Sequence, residues 1–257
     1  EFTSNAGTFR YAGAAGDKFE YSDGTSQIMD ANGYYTAPAG RHKVTLQPSQ
    51  VGAVRPATLA MAGVRELHNF PSTTDISRFS FYVNSTSYSS NLIRVPEYLP
   101  PNITNMENMF RNCSNFGGAG LAAWDVSKVT DMRYAFYGNA FLMADLSDWR
   151  PSASTRMDYM FYGCSAFNSN LNAWDVSKVT RMDYMFYGCS SFNLPLSNWK
   201  VGAVTNMGNM FRNTTNFNQS LTAWCVTNIT SRPSSFSTGS ALAVENQPVW
   251  GTCPNGV

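Results

Sequence analysis

"LNAWDVSKVTRMDYMFYGCSSFN", residues 171–193, sets its apolar side chains at Leu171, Trp174, Val176, Val179, Met182, Met185, Phe186 and Phe192. The same order recurs along the chain. Tryptophan stands at Trp124, Trp149, Trp174, Trp199 and Trp224, an unbroken spacing of 25, and Phe136, Phe161, Phe186, Phe211 and Phe236 each follow one by twelve. A fixed period of this length is the signature of one supersecondary unit stacked on copies of itself.

Within the unit, Leu-x-x-Trp-x-Val-x-x-Val has the inward spacing of a leucine-rich-repeat strand, and Trp174 and Val176 point to one side because they are two apart. Met182, Met185, Phe186 and Cys189 fall at i, i+3, i+4 and i+7, one face of a two-turn helix, with Gly188 near its end. The spacing predicts an α/β repeat solenoid, a leucine-rich-repeat-like stack of short parallel strands and short helices. One unit cannot bury its own apolar face, so Trp124, Trp149, Trp174, Trp199 and Trp224 are expected to be structural, buried and stacked between neighbours.

Three segments follow. Residues 1–60 read as a β-rich N-terminal cap or small domain, with short aromatic alternation in "TFRY" (8–11) and "KFEYSDG" (18–24). Residues 61–236 read as the repeats, worn at Val64, Leu67 and Phe70 and clear over 98–236, where Tyr98 takes the first tryptophan slot. Residues 237–257 read as a C-terminal cap; just before it the motif fails, at Arg232 and Ser235.

Charged residues are 14% of the 257 and the net charge is +1, which gives no argument for nucleic acid or an acidic membrane surface. The longest apolar run is far too short for membrane insertion. The chain begins at Glu1, as a processed or excised segment would. Six Asn-x-Ser/Thr sequons begin at Asn84, Asn102, Asn112, Asn213, Asn218 and Asn228, several of which arise by chance in so Asn/Ser/Thr-rich a chain.

Five cysteines divide into two kinds. Cys113, Cys164 and Cys189 share one repeat slot with Asn139 and Thr214, a small half-buried packing position rather than a metal site. Cys225 leaves the repeat pattern and Cys253 lies in the tail; they are candidates for a disulfide pinning the C-terminal cap, which would fit an oxidising compartment. His42 and His68 stand in unrelated segments, no nucleophile elbow, zinc-protease or nucleotide motif occurs, and "DANG" (30–33) is a turn rather than a calcium loop. No cofactor or metal is expected, and no enzyme.

"WDVSKVTDMRYAFYG" (124–138), "WDVSKVTRMDYMFYGCSSFN" (174–193) and "VTNMGNMF" (204–211) resemble the BspA-like leucine-rich-repeat surface proteins, of the bacterial surface protein repeat type. The resemblance covers about residues 98–236. It implies a secreted or cell-surface protein that binds or adheres, and it brings no catalytic residues.

Four columns stand out beside the apolar ones. Tyr134, Tyr159 and Tyr184 share one slot and Tyr137, Tyr162 and Tyr187 another, three residues on. They form either a six-tyrosine ligand-binding patch or rings that merely pack on each other. Asp125, Arg150, Asp175 and Lys200 alternate in sign, as a charge ladder or a ligand-facing stripe. Thr104, Thr130, Thr155, Thr180, Thr205 and Thr230 make one threonine rank, which braces a bend; ice binding would need two ranks. The expected function is a non-enzymatic, extracellular or cell-surface recognition or adhesion protein that binds a protein or glycan on a cell or particle. The alternative is a structural domain of a viral or phage fibre or an envelope assembly.

Overall fold

A computed structural model describes residues 92–254 and, ahead of them, the backbone of ten short strands from Phe2–Ser4 to Arg78–Ser80. Among these, Lys18–Tyr21 pairs antiparallel with Ser26–Ile28 and with Val44–Gln47, and Gly7–Arg10 pairs with Tyr34–Ala37. The "DANG" turn and the packing of Val64, Leu67 and Phe70 lie outside the described residues.

From residue 92 onward the chain is a stack of rungs in register. It is not the α/β solenoid of leucine-rich-repeat-like short parallel strands and short helices that the spacing predicts. Among residues 92–254, helix is confined to the 3₁₀ turn Val244–Asn246, and strand pairing to single parallel bridges such as Asp131↔Arg156 and Arg156↔Arg181.

Hydrogen bonding gives the reason. In the segment read as a helix, alternate amides have different jobs. Met182, Tyr184, Phe186 and Gly188 donate to the carbonyls of Asn206, Gly208, Met210 and Arg212 on the next rung, at 2.9–3.0 Å. Met185, Tyr187 and Cys189 donate back three residues, to Met182, Tyr184 and Phe186. An α-helix needs each amide to donate back four residues within its own segment, and here half are taken by a neighbour. Tyr184 (φ 59°) and Gly188 (φ 71°) also sit in the left-handed region, which a right-handed helix cannot pass through. In the segment read as a strand, the amides turn back locally. Trp174 and Val179 donate to Leu171 and Val176, and the Asp175 carboxylate accepts from the Ser177 amide at 3.0 Å. Asp in such a turn captures an amide that a strand would send across its ladder.

The apolar columns nevertheless line up as cores. The five tryptophans of the repeat column, of six in the chain, are at most 3% exposed. Neighbouring indoles stack at 6.4 Å (Trp124–Trp149), 6.0 Å (Trp149–Trp174) and 6.3 Å (Trp199–Trp224). Each indole N–H donates to a carbonyl of the preceding rung: Trp149 to Leu121, Trp174 to Leu146, Trp199 to Leu171 and Trp224 to Leu196, all at 2.8–2.9 Å. A buried Trp therefore has its polar atom satisfied while its ring is removed from water. Phe110, Phe136, Phe161, Phe186 and Phe211 stack beside it at 5.2–5.7 Å. Tyr98, in the first tryptophan slot, is 46% exposed, so that slot is not filled by a buried ring in its rung.

Cys225 and Cys253 form a disulfide. It joins the last full rung to a tail that covers it. The Leu221 and Val226 amides donate to Asn246 and Thr252, and Trp250 meets Phe236 edge-on at 4.9 Å. Arg232, where the motif fails, donates to Gln247 and Ser237 of this cover.

The slot of Cys113, Asn139, Cys164, Cys189 and Thr214 is fully buried rather than half-buried. Cys164 and Cys189 donate their thiols to the Phe136 and Phe161 carbonyls at 3.1 and 3.0 Å, and Thr214 donates to Phe211. Both polar atoms of the Asn139 side chain lack a partner. Two outcomes follow for unfolding in urea. Trp174→Ala should lose about 3–5 kcal/mol of stability, the usual cost of truncating a large buried aromatic residue. Asn139→Cys should gain about 1–3 kcal/mol, because it replaces an unpaired buried amide with a group that pairs in two other rungs. A lowered midpoint for Asn139→Cys would show that the amide is satisfied.

Candidate functional site

The tyrosines come together. Tyr134, Tyr159 and Tyr184 stack at 4.8 and 4.5 Å, and Tyr137, Tyr162 and Tyr187 at 4.5 Å per step. Within each rung the two rings lie 5.9–6.0 Å apart. All six are half-buried. They do not sit on a helix. They project from the turns whose alternate amides hold the rungs together, with Tyr134, Tyr159 and Tyr184 at φ 55–60°.

Sequence reasoning missed the two ends of this ladder. Before the first tyrosine rung stands "TNMENMFRN" (104–112), and after the last stands "TNMGNMFRN" (205–213). Their Asn108 and Asn209 occupy the left-handed slot held by tyrosine between them, at φ 58° and 57°. The Arg111 guanidinium lies 5.1 and 4.8 Å from the Tyr134 and Tyr137 ring centres, and Arg212 lies 5.7 Å from Tyr187. The near-identity of the two flanking rungs was a readable signal.

A row of ion pairs runs beside the rings and was also missed. Arg133 binds Asp131 at 2.6 Å and Glu107 at 3.3 Å, Arg156 binds Asp158 at 2.9 Å, and Arg181 binds Asp183 at 3.0 Å. Asp158 and Asp183 are buried. The signal was "TDMRY" and "TRMDY", with opposite charges two residues apart around a buried methionine. Residues two apart share a side in an extended stretch.

The other columns are accounted for by bracing. Thr130, Thr155, Thr180 and Thr205 donate both amide and hydroxyl to the threonine carbonyl of the preceding rung. Asp125 and Asp175 accept from Ser127 and Ser177 within their own turns, and these bonds hold both carboxyls below the usual range. Arg150 meets Asp148 of its own rung at 4.0 Å. Among the described residues this column makes no rung-to-rung ion pair. Burial pushes the Cys164 and Cys189 thiols up, so neither is a ready nucleophile.

Rungs in register carrying a half-buried aromatic ladder define a repeat protein. The chain belongs to the family described as "Mycoplasma protein of unknown function, DUF285", whose model matches residues 78–178 and 139–250. Together the two matches take in about two thirds of the chain. Neither the curated proteins nor the solved structures give a match. Membership is compatible with a surface protein of unknown function, and the disulfide with an extracellular location. The narrower BspA-like leucine-rich-repeat assignment does not follow from it.

Burial, then neighbouring tyrosines and carboxylates, pushes Tyr159 up to about 12; Tyr162 is raised by burial and its ring neighbours, and Tyr134 by burial and the Asp158 charge. These three phenols are therefore neutral at physiological pH. The folded state holds these protons after the unfolded chain, near pH 10, has released them. The contribution to stability is whole below about pH 10 and is lost as pH rises from about 10 to 12. Ultraviolet titration of tyrosinate should show a late-ionising fraction that merges with the ordinary one when the protein unfolds.

Proposed function

We propose that this is a non-enzymatic surface recognition protein and that the tyrosine ladder is its binding face. The observation that supports this is backbone strain. A bulky residue in the left-handed region is an outlier costing of order 1–3 kcal/mol, while Asn tolerates that region well. Asn108 and Asn209 fill the slot on either side, yet three consecutive rungs place tyrosine there. Stability alone favours Asn or Gly at such a position. Tyrosine offers large contact area with a polar tip and little entropy to lose, which suits an interface.

A protein partner fits this face better than a glycan. The ring faces cover one another at 4.5–4.8 Å, and arginines lie over both ends. What remains for a partner is ring edges and hydroxyls, not the open faces on which sugars stack.

The triple variant Tyr134→Asn, Tyr159→Asn and Tyr184→Asn tests the reading. It copies the native residue of the flanking rungs, so it should fold and melt as one transition. It should lose at least tenfold in binding to cells or to captured surface proteins. A folded variant that binds as well as the parent would reduce the ladder to packing. Loss of self-association instead of cell binding would favour the fibre or envelope reading.

A further inference from the structure

The ion-pair row has an inside and an outside. The carboxylates of Asp158 and Asp183 are 4% and 7% exposed, while their partners Arg156 and Arg181 are 34% and 43% exposed. Asp131 and Glu107 are 17% and 19% exposed beside Arg133 at 24%. In the rungs of Arg156 and Arg181 the acids lie deeper than the arginines, and around Arg133 the difference is small. The row adjoins the tyrosine ladder: Asp158 precedes Tyr159 in the chain, and the Tyr134 and Tyr159 amides donate to the Asp158 and Asp183 carbonyls at 3.2 and 2.9 Å. Arg111 and Arg212 close the two ends. The face is near neutral by count, and among its ion-paired side chains each arginine is more exposed than the acids it binds.

Resting on the ladder as the binding face, we propose that its occupant is an extended acidic segment of a partner protein. The Nε–Nη2 edge of Arg156 and of Arg181 holds the aspartate of its own rung, and the Nη1 N–H groups remain as charge-assisted donors toward a second carboxylate. Aromatic edges carry partial positive charge, so they too attract anionic and carbonyl oxygen. Neutral phenols add donors between the arginines. Five rungs, from Arg111 to Arg212, span about 19 Å at the spacing of adjacent chains, which matches about six residues of extended polypeptide. The covered ring faces argue against an acidic polysaccharide as the occupant.

Labelled hexaglutamate, read by fluorescence anisotropy against the whole protein, is the test. It should bind, hexaglutamine should not, and affinity should fall as salt is raised. The variant Arg156→Gln, Asp158→Asn, Arg181→Gln, Asp183→Asn neutralises both members of each pair, so it strands no buried carboxylate and leaves net charge unchanged. It should lose at least tenfold in affinity. Arg212→Gln alone should lose severalfold and decides the matter if the fourfold variant does not fold. Lys178→Gln with Lys200→Gln, exposed and away from the ladder, should change little. The proposal is overturned if hexaglutamate does not bind, if the lysine variant loses as much as the arginine variants, or if polygalacturonate binds more tightly. Tyrosine-dependent cell binding without hexaglutamate binding would leave the recognition reading standing and remove this one.

Discussion

Alternate amides at 182, 184, 186 and 188 donate to the next rung, and most of the structure depends on that choice. Sending every second N–H sideways forbids an α-helix, because the helical ladder would leave no amide for a neighbour. It also fixes the period. A rung can satisfy its neighbour only if equivalent residues stand opposite each other, so the Trp, Phe and Tyr columns must stack. Each indole then finds a carbonyl of the preceding rung. Hydrogen bonding along the stack and apolar burial within it thus demand the same register. A change that shifts one shifts the other.

The columns were legible in the sequence, and the secondary structure was not. Period 25 and the positions of Trp174 and Phe186 identify which residues meet, because stacking of like on like follows from repetition alone. The i, i+3, i+4, i+7 pattern of Met182, Met185, Phe186 and Cys189 is equally satisfied by consecutive three-residue turns, so periodicity could not exclude them. Two local signals pointed away from a helix. Gly188 stands in a slot that Asn112 and Asn213 also fill, and both residue types favour the left-handed region. Asp175 two residues before Ser177 marks an Asx turn, not a strand. The candidate face was half legible. Its tyrosines were visible as columns, but the arginines closing the ladder and the acids beneath it required knowing which side of a turn each residue takes.

The Asn139 slot shows how repetition tolerates a local mismatch. Cys164 and Cys189 in the same column donate to a carbonyl one rung back, whereas neither polar atom of the Asn139 amide finds a partner. The rung around it still keeps its cross-rung bonds, such as Tyr134 to Asp158 and Phe136 to Met160. In a stack, each rung is held on two sides by many small terms, so one unsatisfied group is diluted rather than propagated.

Charge in the central rungs departs from what stability alone would select. Rungs at 155–163 and 180–188 are identical, "TRMDYMFYG", and so they set Arg156 beside Arg181 and Asp158 beside Asp183. Like charges directly opposite across a pairing are unfavourable. Alternation would avoid this, and the step from Asp131 to Arg156 shows that the column accepts it. The arrangement holds because each arginine binds the aspartate of its own rung, which neutralises the pair locally and keeps the carboxylate buried. Those two rungs, like the rung of Tyr134 before them, carry tyrosine in the left-handed slot that Asn108 and Asn209 fill at the ends of the ladder. Two of the three rungs with tyrosine in the left-handed slot are therefore also the rungs that set like charges opposite each other. Each departure is from the most stable choice at its own position, and the rungs at 155–163 and 180–188 carry both.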